Sequence, residues 1–266
     1  MPMCYKLLTD EERIRYHRQL ILPEVGESGQ ERLRRSRALV CGLGGLGSPA
    51  AYYLAAAGVG TIGLIDGDNV EVSNLQRQIL HSTADIGKAK ADSAGERLQA
   101  LNPHVYLITY KEYLMADNMD SLIKDYDVIL DGLDNFPARL LLNQACLSAG
   151  KVFVHGGVQG CTGQIMLVLP GQGPCLQCLL PQPGATDAEA GADTAARENS
   201  GETIGVLGAL PGVIGTLQAV EALKYLLGIG NLPIGRMTSY NALTSRFVTI
   251  KVERDPACKA CGKQHL

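Results

Sequence analysis

The sequence predicts an α/β fold, with a mainly parallel sheet, helices on both faces and an antiparallel C-terminal extension. Three observations lead there. Apolar strand-like runs alternate with helix-like runs as far as Gly156, as a parallel sheet requires when each crossover carries a helix. A glycine-rich turn, Gly42 to Gly47, joins the first strand to an Ala-rich helix. Beyond Gly157 the rhythm changes to strands joined by hairpin or meander connections, in the half that carries two CxxC pairs.

From the N-terminus, Thr9 to Ser36 reads as a polar helical lead-in containing RYHRQL. ALVC follows as an apolar strand, and the helix after the glycine turn begins near Ser48 and Pro49. TIGLID is a second strand ending at Asp66. A helix-like run then covers Gly87 to Ala100, until Asn102-Pro103 stops it. Val105 to Thr109 is a third strand, Asn118 to Lys124 a polar helix and Asp127 to Asp131 a fourth strand. Pro137 to Ala149 follows as a helix and Val152 to Gly156 as a fifth strand. QIMLVLP, TSYNA and RFVTIKVE supply the antiparallel strands. The most apolar stretch, Gly205 to Gly230, carries Gln218, Glu221 and Lys224 one turn apart and is interrupted by Pro211. It is therefore expected to be a half-buried helix of a soluble core, not a membrane span. Residues 182–202 are rich in Ala, Gly, Asp, Glu and Thr without a hydrophobic period, which predicts a mobile surface crossing.

At 266 residues and 46% hydrophobic content, the chain can bury a sizeable core in one body with a modest appendage. A formal net charge of -3, with acidic and basic residues interspersed, gives no footprint for nucleic acid or an anionic membrane. The polar start MPMCYKLLTDEER lacks the apolar core of a signal peptide, so the expected location is the cytoplasm. There, eight cysteines are expected to act as ligands, nucleophiles or core filler instead of disulfides. Cys41 and Cys146 lie in apolar runs and read as filler.

The chemistry concentrates in a few motifs. Gly42-x-Gly44-x-x-Gly47 follows a strand and opens a helix, so its amides can face a phosphate that the missing side chains let come close. Asp66, ending the next strand, can accept hydrogen bonds from ribose hydroxyls. These two features suit NAD or ATP equally. The residues after Asp66 favour ATP: Asn74, Arg77 and Gln78 fall at spacings that a helical turn would gather on one face. Arg77 offers a planar fork to phosphate oxygens, and Lys90 a compact charge that can neutralise a leaving pyrophosphate. Asp131 and Asp134 end the fourth strand, at the sheet edge where ligands of open α/β folds gather. Asp134 is expected to hold a magnesium ion, while Asp131 serves structure, and one of the two is expected to cap the following helix. Cys175/Cys178 and Cys258/Cys261 form two chelating hooks for one tetrahedral Zn²⁺, which completes a Rossmann-like fold with a structural zinc site.

RYHRQ, GLGGLG, DGDNVEVSNLQRQ, DGLDN, the paired CxxC hooks and GVIGTLQAVEALK occur in an order that resembles the ThiF/MoeB/HesA proteins, bacterial relatives of ubiquitin-activating enzymes. The resemblance runs over about residues 9–262. It implies a homodimeric adenylyltransferase that takes ATP and the C-terminal carboxylate of a small ubiquitin-like sulfur carrier ending in Gly-Gly. The acyl-adenylate then accepts sulfur, from a sulfurtransferase or cysteine desulfurase, for molybdopterin or thiamine-type cofactors. Carried over by motif, Gly42, Gly44, Gly45 and Gly47 serve the phosphates, with Asp66 and Asp68 at the ribose. Ser73, Asn74 and Arg77 hold the nucleotide, Lys90 meets the phosphates, and Asp134 with Asn135 serves magnesium and the reacting centre. Arg18 resembles the arginine that reaches across the dimer to the γ-phosphate of the partner's ATP. The resemblance divides a single adenylation domain, residues 1–266, into a nucleotide-binding half (9–156) and a zinc and carrier-binding half (157–266).

One departure stands out. Sulfur-transferring relatives carry a cysteine four residues before the glycine of a GV(V/L)G segment, and counting back from Gly205 lands on Gly201. The chain therefore resembles a MoeB-type enzyme that stops at the adenylate, with Cys161 the remaining thiol near the expected site. Competing readings are adenylation of a peptide or small carboxylic acid, a NAD-dependent oxidoreductase, and a non-catalytic scaffold. The oxidoreductase reading leaves Arg77, Lys90, Asp134 and the zinc hooks without purpose.

Overall fold

Strand β1 (Arg37–Cys41) is apolar on both faces and buried from Ala38 to Cys41, which only an interior strand of a sheet covered on both sides can satisfy. In the computed structural model, which describes residues 8–180 and 205–262, β1 sits between β2 (Thr61–Ile65) and β4 (Val128–Asp131), parallel to both. β3 (Tyr106–Tyr110) and β5 (Val152–Gln159) continue the parallel pairing outward. From β5 the pairing becomes antiparallel through β6 (Thr162–Val168), β7 (Arg236–Asn241) and β8 (Arg246–Lys251). The described residues thus form one eight-stranded sheet of order β3-β2-β1-β4-β5-β6-β7-β8.

The polar lead-in forms three short helices, α1 (Asp10–Arg15), α2 (His17–Leu20) and α3 (Gly26–Arg35). A capping box starts α1: the Thr9 hydroxyl accepts from the Glu12 amide, and the Glu12 carboxylate accepts from the Thr9 amide. α4 (Gly47–Ala57) follows the glycine turn, and α5 (Lys90–Leu101) precedes β3. Both pack with α3 and the long α8 (Ala209–Leu227) on one face of the sheet, where Leu54, Leu98 and Leu226 share a core. α6 (Met119–Ile123) and α7 (Phe136–Ser148) cover the other face around Leu122, Leu142 and Phe153. Cys41 and Cys146 are buried in that second core, as filler should be.

Three sequence expectations need correction. α5 starts at Lys90, not Gly87, because Gly87 takes φ +84° in a preceding turn. Pro211 does not interrupt its helix: it is the third residue of α8, where a backbone N–H has no intrahelical acceptor and a proline costs no bond. Gln218 is no part of a polar face. It is 1% exposed, and its amide donates to the carbonyls of Asp131 (2.8 Å) and Val154 (2.9 Å). α8 is therefore a core helix, with Gln218 stitching the end of β4 to β5. No described helix is long and apolar enough to cross a membrane. The expected crossing at 182–202 lies outside the described residues.

Candidate active site and metal centre

The strand order reverses between β1 and β4, so the turns leaving their carboxyl ends diverge and open a crevice. At its floor, Gly42 has φ +87°, and a Cβ there would lie 2.6 Å from the Gly132 carbonyl oxygen. Only glycine lets the two turns touch. Above them is a cleft of about 730 Å³ whose lining includes Gly42, Gly44, Gly45, Asp66, Asp68, Arg77, Gln78, Lys90, Asp134 and Asn135. The structure thus brings together residues far apart in sequence.

Gly47 plays a different part. It opens α4 out of the cleft, and a side chain on it would strike the Gly42 carbonyl. Asp66 is held from both sides: its Oδ2 accepts from the Leu43 amide (2.8 Å) and its Oδ1 from the Asp68 amide (2.9 Å). Burial still keeps its pKa above the ordinary 3.8. Lys90, 6% exposed at the first position of α5, pairs with Asp68 Oδ2 at 2.8 Å and lies 4.0 Å from Asp66 Oδ1. A buried ammonium at a helix N-terminus opposes the helix dipole, and the two carboxylates compensate it. Although burial opposes it, the Lys90 and Tyr113 hydrogen bonds hold Asp68 below 3.8.

Arg77 faces the cleft with one guanidinium bond, from Nη1 to the Ser73 carbonyl (3.1 Å). Ser73 and Asn74 do not line it. Residues 72–74 form a 3-10 turn that runs on into the expected helical turn, the Asn74 carbonyl accepting from the Arg77 (3.1 Å) and Gln78 (3.0 Å) amides, while the Asn74 side chain accepts from the Glu71 amide at 3.3 Å. Arg77 and Gln78 share the cleft wall, and the Asn74 side chain does not reach it. Gln78 is 4% exposed, and its Oε1 has no hydrogen-bond partner among the described residues.

At the β4 end, Asp131 is fully buried, with Oδ2 2.7 Å from His155 Nδ1 and Oδ1 accepting from the Leu133 amide at 3.1 Å. Asp134 is exposed to the cleft and makes no hydrogen bond or ion pair among the described residues. Neither aspartate caps α7. Asn135 does, its Oδ1 accepting from the Ala138 amide at 2.9 Å, because it occupies the N-cap position itself. Arg18, on α2, is exposed and outside this cleft. Cys161 lies in the β5–β6 turn, also outside the lining.

Sequence reasoning passed over Tyr113 and Arg139. Arg139 is 6% exposed, lines the cleft and donates from Nε to the Leu133 carbonyl at 3.1 Å. Its place one turn into the helix that Asn135 caps could have signalled it. Tyr113 donates its hydroxyl to Asp68 Oδ1 at 2.7 Å. Nothing in the local sequence marks that pairing.

Cys175, Cys178, Cys258 and Cys261 place their sulfurs within 4.8 Å of one another, with pairs at 3.9, 3.7 and 3.4 Å. A tetrahedral ion with Zn–S bonds of about 2.3 Å needs sulfurs about 3.8 Å apart. The cluster fits such a metal. Burial and the neighbouring thiols push the Cys175 thiol up, and burial takes Cys178 to about 11. Although burial opposes it, backbone hydrogen bonds from Cys261 and Ala260 lower the Cys258 thiol, and a bound cation would favour the ionised form of all four.

A model of the ThiF family matches residues 16–260. The chain belongs to the ThiF family. Within it, the chain is 45% identical over 261 residues to a sulfur carrier protein adenylyltransferase of Thermus thermophilus, covering 96% of this chain and 93% of that protein. It is 43% identical over 260 residues to the adenylyltransferase and sulfurtransferase MOCS3 of Drosophila yakuba, covering 97% of this chain but 55% of that one. The chain thus spans about half the length of MOCS3. Its ThiF fold also superimposes on Escherichia coli MccB with MccA-N7isoASN, at a TM-score of 0.81 and 22% identity, over 93% of this chain and 75% of MccB.

Proposed function

We propose that this chain adenylates the C-terminal carboxylate of a small ubiquitin-like sulfur-carrier protein ending in Gly-Gly, for sulfur incorporation in cofactor biosynthesis. One observation carries the reading: Arg77, Lys90 and Asp134 converge with the glycine turn and Asp66 on a single cleft. It stands in a chain that matches a sulfur carrier protein adenylyltransferase over 93% of that protein's length. The MOCS3 likeness covers 55% of that protein, so the sulfurtransferase part of its name is not carried over.

In this reading ATP lies along the crevice with its phosphates over Gly44 and Gly45 and its ribose hydroxyls on Asp66. A carrier carboxylate oxygen attacks the α-phosphorus and forms the new P–O bond. The bond to the bridging α–β oxygen breaks, and pyrophosphate leaves with that electron pair. Attack brings two anions together, so Arg77, Lys90 and Arg139 lower the barrier by screening them. No protein nucleophile is needed, which agrees with the absence of cysteine from Leu179 to Ala257. Sulfur would then reach the adenylate from a separate donor, a sulfurtransferase or a cysteine desulfurase.

Asp134, whose carboxylate makes no hydrogen bond or ion pair among the described residues, would hold magnesium at the cleft edge, where the ion would supply positive charge against the leaving group. The four thiols fit Zn²⁺, a structural ion holding the segment after β8 against Leu176 and α7. Arg18 supports a homodimer, because its guanidinium has no place in its own cleft. A second copy would supply it, and the open apolar groove between Tyr52, Tyr53, Val213 and Leu217 of α4 and α8 is a fitting contact face.

ATP–pyrophosphate exchange tests the reading. Exchange that depends on a Gly-Gly-ended carrier supports it. Exchange without any carrier would transfer the assignment to a peptide or small carboxylic acid, and calorimetric binding of NAD but not ATP would overturn it.

A further inference from the structure

We propose that Tyr113 is a positioning residue for the nucleotide: it clamps the Gly67 turn, and so fixes the carboxylate of Asp66 that receives the ribose. This rests on the nucleotide reading of the cleft. The segment 66–68 leaves β2 at the sheet edge, and a loop leaving a strand is free to tilt unless side chains hold it. Three groups from three other elements do so here. The Leu43 amide of the glycine turn donates to Asp66 Oδ2 at 2.8 Å. Lys90 of α5 donates to Asp68 Oδ2 at 2.8 Å. From the loop after β3, the Tyr113 hydroxyl takes the other oxygen of Asp68, Oδ1, at 2.7 Å.

The ring of Tyr113 does more than carry the hydroxyl. A Cβ placed on Gly67 would meet the Tyr113 ring carbons at 2.7 to 2.8 Å, so the ring lies directly on the glycine and no larger residue fits beneath it. Tyr113 is nevertheless 61% exposed and lines the cleft beside Glu112 and Leu114. It is a roof over the turn, open to the ligand space, and not part of the core.

Each oxygen of Asp66 already accepts one backbone N–H, and a carboxylate oxygen has room for one more donor. The direction left to a ribose hydroxyl is therefore set by the tilt of the turn. Holding that tilt strengthens ground-state and transition-state binding alike. Loss of Tyr113 should then appear in KM and leave kcat intact.

The test is ATP binding by calorimetry together with exchange supported by a Gly-Gly-ended carrier, on the full chain. Tyr113→Ala is expected to raise Kd and KM for ATP about 10-fold with kcat within about twofold. Tyr113→Phe, which keeps the ring and loses the hydrogen bond, should raise them about threefold. Gly67→Ala attacks the same contact from beneath and should match Tyr113→Ala, and the double variant should be no worse than either single one. Unchanged KM in Tyr113→Ala, a loss confined to kcat, or additive effects in the double variant would each overturn the role of Tyr113 alone. A wild-type protein that binds no ATP overturns the nucleotide reading and this role with it.

Discussion

At the residue scale, the cleft separates groups that bind from groups that hold the binders. Asp134 is exposed and has no partner among the described residues, whereas Asp131 is buried against His155, so a cation-binding role is proposed for the first alone. Asp134→Ala is expected to lower exchange by about 10²-fold or more, while metal analysis finds the zinc content unchanged. Near wild-type exchange would remove Asp134 from the mechanism. Asp66 predicts a pH dependence. Burial holds its folded pKa above 3.8, so the ionised form costs the ligand-free fold stability as pH rises through that pKa. Ribose hydroxyls favour the ionised form, so Asp66 should make ATP affinity fall as pH drops through its pKa. His81, buried behind the turn with its pKa below the ordinary 6.5, also charges on the acid side. Asp68, held below 3.8, does not titrate there. Asp66→Asn should leave an affinity that is weaker and falls less steeply on the acid side than wild type, measured with a fluorescent ATP analogue; a slope as steep as wild type would assign the dependence to His81. Of these residues, Asp66, Asp134, Arg77 and Lys90 could be picked out from motif spacing. Tyr113 and Gln78's orphaned oxygen could not, because their roles depend on partners 45 residues away or on the absence of any.

At the scale of the element, the amphipathic logic of the chain was readable except where polar groups go inside. α8 was expected half-buried because Gln218, Glu221 and Lys224 align, yet Gln218 lies in the core. Spacing reports which residues share a face, and cannot report that an open end of the sheet waits to accept an amide. Gln218→Leu should destabilise the protein by about 1 to 3 kcal/mol through the two carbonyls it leaves without donors, read from denaturant midpoints. No change in midpoint would mean that water replaces the amide. The hooks are an element too. Leu176 donates its amide to Asn143 Oδ1 of α7 at 3.1 Å, so the first hook is anchored to the core, and a metal held by the four sulfurs would tie the second to it. Cys258→Ser should release the ion and lower the melting temperature by about 10 °C. A variant that keeps one zinc per chain would show that the four sulfurs are not its ligands.

At the scale of the whole molecule, the sheet carries its parallel and antiparallel parts without a break, so the cleft at the β1/β4 divide and the hooks beyond β6 share one frame. Arg18 stands apart from that frame. If the homodimer places it over the partner's cleft, Arg18→Ala and Asp134→Ala, each inactive alone, should recover about a quarter of wild-type exchange when mixed, since one site in such a heterodimer is intact. No recovery after verified subunit exchange would argue that each cleft is complete within its own chain.

From the sequence alone came the alternation of strands and helices, the glycine turn, the two hooks and the charged positions, because each is a local pattern with a short-range cause. The tertiary structure alone decided which charges meet. It set Lys90 against Asp68, buried Gln218, handed the α7 cap to Asn135 and laid Tyr113 on Gly67. Those outcomes follow from where separate strands end side by side in space, and no spacing along the chain records that.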